Sequence, residues 1–176
     1  MLCSTKSTKN IVQKMKENLR FKEDRLFEKV FPILKRTHRI PKKHKIERHK
    51  HIRGYEIDVY ITWNSRGWPS FKSMIVELKE IDMPKLVEQI VKRRNLALFA
   101  YAVINIPVDK LFAWLIKYHL NLAHKLVDHN IGLISFDRDN EPVLLLRSDM
   151  NTNWILDLYF KGRSKLTKGQ IYKKHK

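Results

Sequence analysis

The segment FKSMIVELKE, residues 71–80, constrains the fold most, because it places charges inside an apolar run. The segment predicts a buried strand through its apolar residues Met74, Ile75, Val76 and Leu78. Glu77 and Lys79 place two charges within that strand. A strand places residues i and i+2 on one face, and burying an unpaired charge is costly. The segment therefore predicts a core strand that directs a carboxylate and an ammonium group the same way at its end.

The segment before it, YEIDVYITW, alternates between apolar and polar residues and predicts a second strand, joined to the first by the turn-like NSRGWPS. The alternation predicts one face with Ile57, Val59 and Ile61 and another with Glu56, Asp58 and Tyr60. If the two strands form a hairpin, Asp58 approaches Glu77 and Lys79. Two carboxylates repel each other unless a cation lies between them, and Mg²⁺ prefers such oxygen ligands. Lys79 would then act on a water molecule or on a phosphate.

The remaining patterns predict helices and further strands around this hairpin. We expect a helix from residue 21, kinked or shortened by Pro32, and then a basic connector without a clear period at residues 35–54. Later elements are a helix at 84–95, a central strand at 96–104, one long amphipathic helix at 108–129, and two short strands at 131–137 and 141–147. This order predicts a single α/β domain with a central mixed β-sheet flanked by helices, spanning residues 21–160 between a basic extension (1–20) and a basic tail (161–176).

The charge balance points to a polyanionic partner. The chain has 36 Lys and Arg against 18 Asp and Glu, a formal net charge of +18. Nucleic acid is the first expectation, an anionic membrane surface the second, and a Lys-rich protein of a hot or salty cell a third reading. Cys3 is the single cysteine, which excludes a disulfide framework within the chain. With neither a signal-like start nor an apolar run of membrane length, we expect a cytoplasmic, DNA-associated protein.

The basic connector is the strongest candidate for contact with phosphates, since thirteen of its twenty residues are Lys, Arg or His. In the hairpin turn, Trp68 beside Arg66 would either stack on an unpaired base or pack the tip onto the domain. The predicted nucleic-acid contacts are Lys35, Arg36, Arg39, Lys42, Lys43, Lys45, Arg48, Lys50, Arg53, Arg66, Trp68, Lys92, Arg93 and Arg94.

Asp58 in GYEIDVYI and the triplet Glu77-Leu78-Lys79 in MIVELKE resemble the motif of the PD-(D/E)xK nuclease superfamily, which includes many restriction endonucleases and Holliday-junction resolvases. The resemblance implies a restriction endonuclease-like fold. It also implies a Mg²⁺ ion, replaceable by Mn²⁺, bound by Asp58, Glu77 and the Leu78 carbonyl, with Lys79 as the catalytic lysine. Glu23 resembles the first-helix glutamate of resolvase-like members, with Glu28 as a fallback, and Gln89 resembles the polar residue on the following helix.

The implied function is Mg²⁺-dependent hydrolysis of DNA, double-stranded or branched, with a four-way-junction resolvase acting as a homodimer as one subtype. Two other functions remain open from the sequence: a non-catalytic nucleic-acid-binding module on the same fold, and a basic RNA-associated protein. A simpler reading of the hairpin is a surface pair of strands whose cross-strand ion pair contributes about 0.2–1 kcal/mol.

Overall fold

The structure, a computed structural model, describes residues 25–159. Six strands form one sheet in which spatial order follows sequence order. The strands are β1 (His44–Ile52), β2 (Tyr55–Asn64), β3 (Phe71–Lys79), β4 (Phe99–Pro107), β5 (Gly132–Phe136) and β6 (Pro142–Leu146). The helices are α1 (25–37), α2 (Met83–Arg93), α3 (Val108–Tyr118), α4 (Leu120–Asp128) and α5 (152–159), with a short 3₁₀ turn at Arg94–Leu96.

The sheet is mixed because of how its strands are connected. Short turns join β1 to β2 and β2 to β3, and these pairs are antiparallel. Helix α2 carries the chain from β3 to a parallel β4, and α3 with α4 carry it to a parallel β5. Parallel neighbours need such crossovers, whereas antiparallel neighbours need only a turn. The α/β class, the mixed sheet and the hairpin of β2 and β3 are therefore confirmed.

Helices cover both faces of the sheet. The first core layer joins α1 to one face through Leu26, Phe27, Val30 and Leu34 against Val59, Ile61, Met74, Val76, Tyr101 and Val103. The second joins α2, α3 and α4 to the other face through Leu86, Val87, Ile90, Leu111 and Leu126 against Ile75, Ala100, Ala102, Ile104 and Leu133. Strand β4 is buried on both sides over its first six residues, as its continuous apolar run predicts.

Three expectations about elements were wrong. The basic connector contains an edge strand, β1, whose period is hidden because charged side chains occupy its partly exposed faces and because His49 has a positive φ of 48°. The long helix is two helices, since His119 leaves helical geometry at φ −143° and its ring packs on Trp114 with centroids 4.1 Å apart. Helix α1 continues through Pro32 to residue 37.

The alternation predicted for β2 is present in its burial, since Ile57, Val59 and Ile61 are all buried, but these side chains do not share one core layer. Val59 packs in the core layer under α1, whereas Ile57 packs in the layer under α2. The pairing of β1 with β2 also omits the step between His49 and Asp58, although Arg48 pairs with Val59 and Lys50 with Ile57. The register is the same on both sides of this step, where His49 of β1 has a positive φ of 48°.

Three expectations concern residues outside the described range: the site residue Glu23, the basic extension at 1–20 and the basic tail at 161–176. They stay predictions. Within residues 25–159, no helix has the length and apolar character that crossing a membrane requires.

Candidate active site at the end of β3

Asp58 lies at the point where β2 and β3 separate. Paired residues run as far as Val59 opposite Val76. Beyond that point, the backbone N–H of Leu78 donates to Asp58 Oδ2 at 2.9 Å, so a side-chain carboxylate continues the ladder. One further step of the same register places Asp58 opposite Glu77. The convergence expected of these residues is therefore present in the structure.

Glu77 is a fully buried carboxylate with 0% of its surface exposed. Burial raises its pKa to about 9, and the neighbouring Asp58 carboxylate acts in the same direction, whereas Arg93 and Lys79 act in the opposite direction. Its Oε2 accepts a close hydrogen bond from Arg93 Nη1. Its Oε1 accepts none from any residue between 25 and 159. The protein thus holds an acceptor without a donor beside a second carboxylate, which is costly unless a proton or a cation lies there.

Two features of this geometry favour different charge states of Glu77. The contact with Arg93 has the form of an ion pair, which favours the carboxylate, while burial and Asp58 favour the protonated acid. We give more weight to burial, because removing a carboxylate from water costs several kcal/mol and a single hydrogen-bonded cation recovers only part of that. In the protein without a bound cation, the pKa of Glu77 is therefore above neutrality.

Lys79 contacts the same cluster from the end of β3. Its Nζ donates to the Leu78 carbonyl at 2.8 Å and lies 3.8 Å from Asp58 Oδ2. Only 16% of the Lys79 side chain and 14% of the Asp58 side chain are exposed. The ammonium group is thus held beside both carboxylates, where it offsets part of their repulsion and can reach a group that enters the cluster.

The oxygen atoms here suit a hard divalent cation. Residues 25–159 hold no cluster of three or more His, Cys, Asp or Glu side chains able to bind a metal. Mg²⁺ needs fewer, because it keeps several waters and is commonly held by one or two carboxylates. Asp58, Glu77 Oε1 and the Leu78 carbonyl form such an oxygen set, and the orphaned Oε1 is the atom that a cation would satisfy.

Arg93 was expected to contact nucleic acid and instead pairs with Glu77, with 12% of its side chain exposed. It lies one helical turn beyond Gln89 on α2, so both share the helix flank that faces the sheet. Gln89 is half-buried and its Oε1 has no hydrogen-bond partner among residues 25–159. Gln89 and Arg93 are four residues apart and lie beside the apolar stripe of α2. This spacing was the sequence signal that Arg93 faces the sheet and not the solvent.

Arg94 is not available to a phosphate, which corrects its assignment as a contact. It is 6% exposed and donates to the carbonyls of His129 (2.8 Å), Ala97 (3.2 Å), Leu98 (3.3 Å) and Asp149 (2.8 Å). Burial lowers its pKa to about 10. Arg94 ties the α2–β4 connection to the loops after α4 and β6, and this role is structural.

The other predicted contacts are distributed over the surface. Arg36, Arg39, Lys42, Lys43, Lys45, Arg53, Arg66, Trp68 and Lys92 are exposed or partly exposed, and Lys35, Arg48 and Lys50 are half-buried. Several already have protein partners: Lys45 and Lys50 share Glu47, at 3.1 and 2.7 Å, and Lys92 pairs with Glu88 at 2.6 Å. The Arg48 guanidinium lies 4.2 Å from the centre of the Phe27 ring. Trp63 is buried, whereas Trp68, 72% exposed, presents its indole at the tip.

No family model matches the chain, and no curated protein matches it. Among solved structures, SfsA of Pyrococcus furiosus, determined in complex with Ca²⁺, matches with 13% sequence identity and a TM-score of 0.35. The match covers 76% of this chain and 64% of the SfsA chain, so it spans less than two thirds of that protein's length. At this TM-score, the likeness carries no argument about fold or function.

Proposed function

We propose that this protein is a metal-dependent DNA endonuclease that hydrolyses phosphodiester bonds at the Asp58–Glu77–Lys79 cluster. The observation that carries the proposal is the buried Glu77 carboxylate facing Asp58, with an oxygen that lacks a hydrogen-bond donor among residues 25–159. A cluster built only for stability would gain from apolar side chains of the same size here. The net charge of +18 supports a polyanionic substrate.

Each residue of the cluster has a distinct role in this proposal. Asp58, Glu77 and the Leu78 carbonyl would hold Mg²⁺, which when bound lowers the pKa of water and offsets charge on the phosphate. Lys79, poised beside Asp58, would stabilise the negative charge that develops at the attacked phosphate or orient the attacking water. Gln89 would complete the cleft, together with Glu23, which lies outside the described residues. Arg93 would hold Glu77 in place through Oε2 and leave Oε1 for the cation.

The test is a cleavage assay on supercoiled plasmid and on a synthetic four-way junction, with Mg²⁺, with Mn²⁺ and with chelator. Wild-type protein should cut in a metal-dependent way, and Lys79→Ala should cut at least about 100-fold more slowly while remaining folded. Lys85→Ala is the matched control, because this exposed lysine lies on α2, outside both the cluster and the predicted nucleic-acid contacts. Equal rates for both variants would remove the site assignment. Preferred cutting of the junction would favour the resolvase subtype and its homodimer.

A second function has an observation of its own in its favour. Glu77 has no exposed surface, and Arg93 contacts one of its oxygens. A site that has lost its catalytic activity, in a DNA-binding module, would have the same geometry. Such a module should bind DNA equally well with Mg²⁺ and with chelator and should never release cut products. Nitrocellulose-filter binding under both conditions, beside the cleavage assay, separates the two functions.

A further inference from the structure

A cleft opens at the opposite end of the β1–β2–β3 sheet from Glu77. Its volume is about 440 Å³, and its walls include Lys43, Lys45, Thr62, Asn64 and Phe71. Lys45 pairs with Thr62, and Asn64 pairs with Phe71, so these side chains share one face of the sheet. We call this the tip cleft. Its volume is in the range of sites that hold a small ligand.

The walls of the tip cleft combine three kinds of contact. Phe71 offers a ring that is 39% exposed and stacked against Trp154, with centroids 6.3 Å apart. Thr62 and Asn64 offer hydroxyl and amide groups that both donate and accept hydrogen bonds. Lys43 and Lys45 are exposed at the rim. Sites for single nucleotides combine an aromatic ring on which the base stacks, polar groups that hydrogen-bond to the edge of the base, and cations that contact the phosphate.

Neighbouring features extend the same chemistry. The turn between β2 and β3 presents Arg66 and Trp68 to solvent. Lys45 is engaged by Glu47 at 3.1 Å, but with 69% of the lysine side chain exposed this pair is weak enough for a phosphate to compete. The indole N–H of Trp63, which also lines the cleft, has no acceptor among residues 25–159.

We propose that the tip cleft binds one unpaired nucleotide of a DNA strand, its base stacked on Phe71 and its phosphate against Lys43 and Lys45. Phe71 and Glu77 lie six residues apart on one face of β3, about 20 Å at the rise of a strand. The substrate class is therefore DNA that carries an unpaired nucleotide near the duplex being engaged. The inference rests on the DNA partner of the proposed function and is independent of cleavage.

The test measures binding in chelator, by fluorescence anisotropy, of a labelled oligothymidylate and of an oligomer of equal length whose bases are replaced by abasic sites. Phe71→Leu keeps an apolar side chain beside Trp154 but removes the stacking ring. It should weaken oligothymidylate binding at least about fivefold and leave the abasic strand unchanged. Phe71→Trp should restore binding. Phe112→Leu is the matched control, since Phe112 on α3 is 46% exposed and lies outside the cleft; it should change neither.

The contact of Lys43 and Lys45 with the phosphate is tested by the salt dependence of binding. Replacing Lys43 and Lys45 together by alanine should lower the salt slope of oligothymidylate binding by about 0.7, since both lysines contact one phosphate and each phosphate that the protein no longer neutralises removes about 0.7 from the slope. Replacing the exposed Lys110 and Lys117 of α3 should lower it less.

Three results would overturn the inference: equal effects of Phe71→Leu and Phe112→Leu, equal loss for both strands, or wild-type protein that binds the abasic strand as tightly as the oligothymidylate. Thermal melting of each variant shows whether a loss of binding reflects unfolding, and in that case recovery by Phe71→Trp decides. All binding is measured in chelator, where cleavage does not contribute. A protein that never cuts DNA can therefore still confirm the tip cleft, and a nuclease can still lack it.

Discussion

Replacing Glu77 by glutamine tests the physical argument for the site without relying on an enzymatic assay. Glutamine has nearly the shape of glutamic acid, keeps an oxygen that can accept from Arg93, and carries no charge at any pH. If burial and Asp58 make the carboxylate costly, Glu77→Gln should stabilise the protein in chelator near neutral pH. A substitution that abolishes the proposed metal site would thus make the metal-free protein more stable.

The magnitude follows from the pKa of Glu77. Its ordinary value is 4.5 and its value in the folded protein is about 9, so at pH 7 the folded state binds a proton that the unfolded state has released. Between pH 4.5 and pH 7, the wild-type protein therefore loses about 3 kcal/mol of its free energy of unfolding. For a chain of this length, the gain in Glu77→Gln amounts to roughly 6–12 °C in melting temperature. The raised pKa means that stability is complete below pH 4.5 and is lost as the pH rises toward 9.

The assay is urea unfolding of both proteins in chelator from pH 4.5 to pH 9, with Glu141→Gln as control because Glu141 is an exposed acid between β5 and β6. The free energies of wild type and Glu77→Gln should coincide near pH 4.5 and diverge as the pH rises, whereas Glu141→Gln should follow wild type. Adding Mg²⁺ should stabilise wild type and leave Glu77→Gln unchanged. If Glu77→Gln is the less stable protein at pH 7, an ionised Glu77 paired with Arg93 is the ground state, and our reasoning about burial is wrong.

Two further predictions concern groups away from the site. Burial, with Arg147 and Lys72 contributing, lowers the pKa of His38 from 6.5 to about 4, so stability should fall by about 3 kcal/mol as the pH drops through that interval; His38→Gln should remove this dependence in urea unfolding. Arg94→Lys should cost at least about 2 kcal/mol in the same measurement, because one ammonium group cannot reach the four carbonyls that the guanidinium holds, and an unchanged stability would show that these bonds are dispensable.

The hairpin and the central strand were predictable because their burial is visible in the sequence. Strand β2 alternates between apolar and polar residues, and β3 and β4 contain continuous apolar runs. Strand β3 keeps six consecutive buried positions, and Glu77 stands out among them as the one charge in the apolar run. Strand β1 was missed for the opposite reason. It lies at the edge of the sheet with both faces partly exposed, so no apolar period marks it, and its positive-φ residue His49 shifts the alternation midway.

The site was predictable only as far as it depends on neighbouring strands. Asp58, Glu77 and Lys79 come together because one hairpin fixes their register, and register follows from local pattern. The roles of Arg93 and Arg94 depend instead on how α2 ends against the sheet. Adjacent residues on a helix point about 100° apart, so one reaches Glu77 while the other turns into the loops after α4 and β6. Two arginines in the sequence KRRN therefore look alike until the helix is docked.

Arg93 and Lys79 lower the cost of holding the carboxyl groups of Glu77 and Asp58 together in the protein without a bound cation. With Glu77 and Asp58 facing each other, some positive charge must lie nearby, and Arg93 on Oε2 and Lys79 near Asp58 supply it from opposite sides. Neither donates to Glu77 Oε1, so the contact between Glu77 and Asp58 needs a proton on one of the two acids or a bound cation. The two basic residues thus lower the cost of the cluster while leaving one acceptor for a ligand. That division of roles supports the proposed metal site, because it leaves Glu77 Oε1 for a cation.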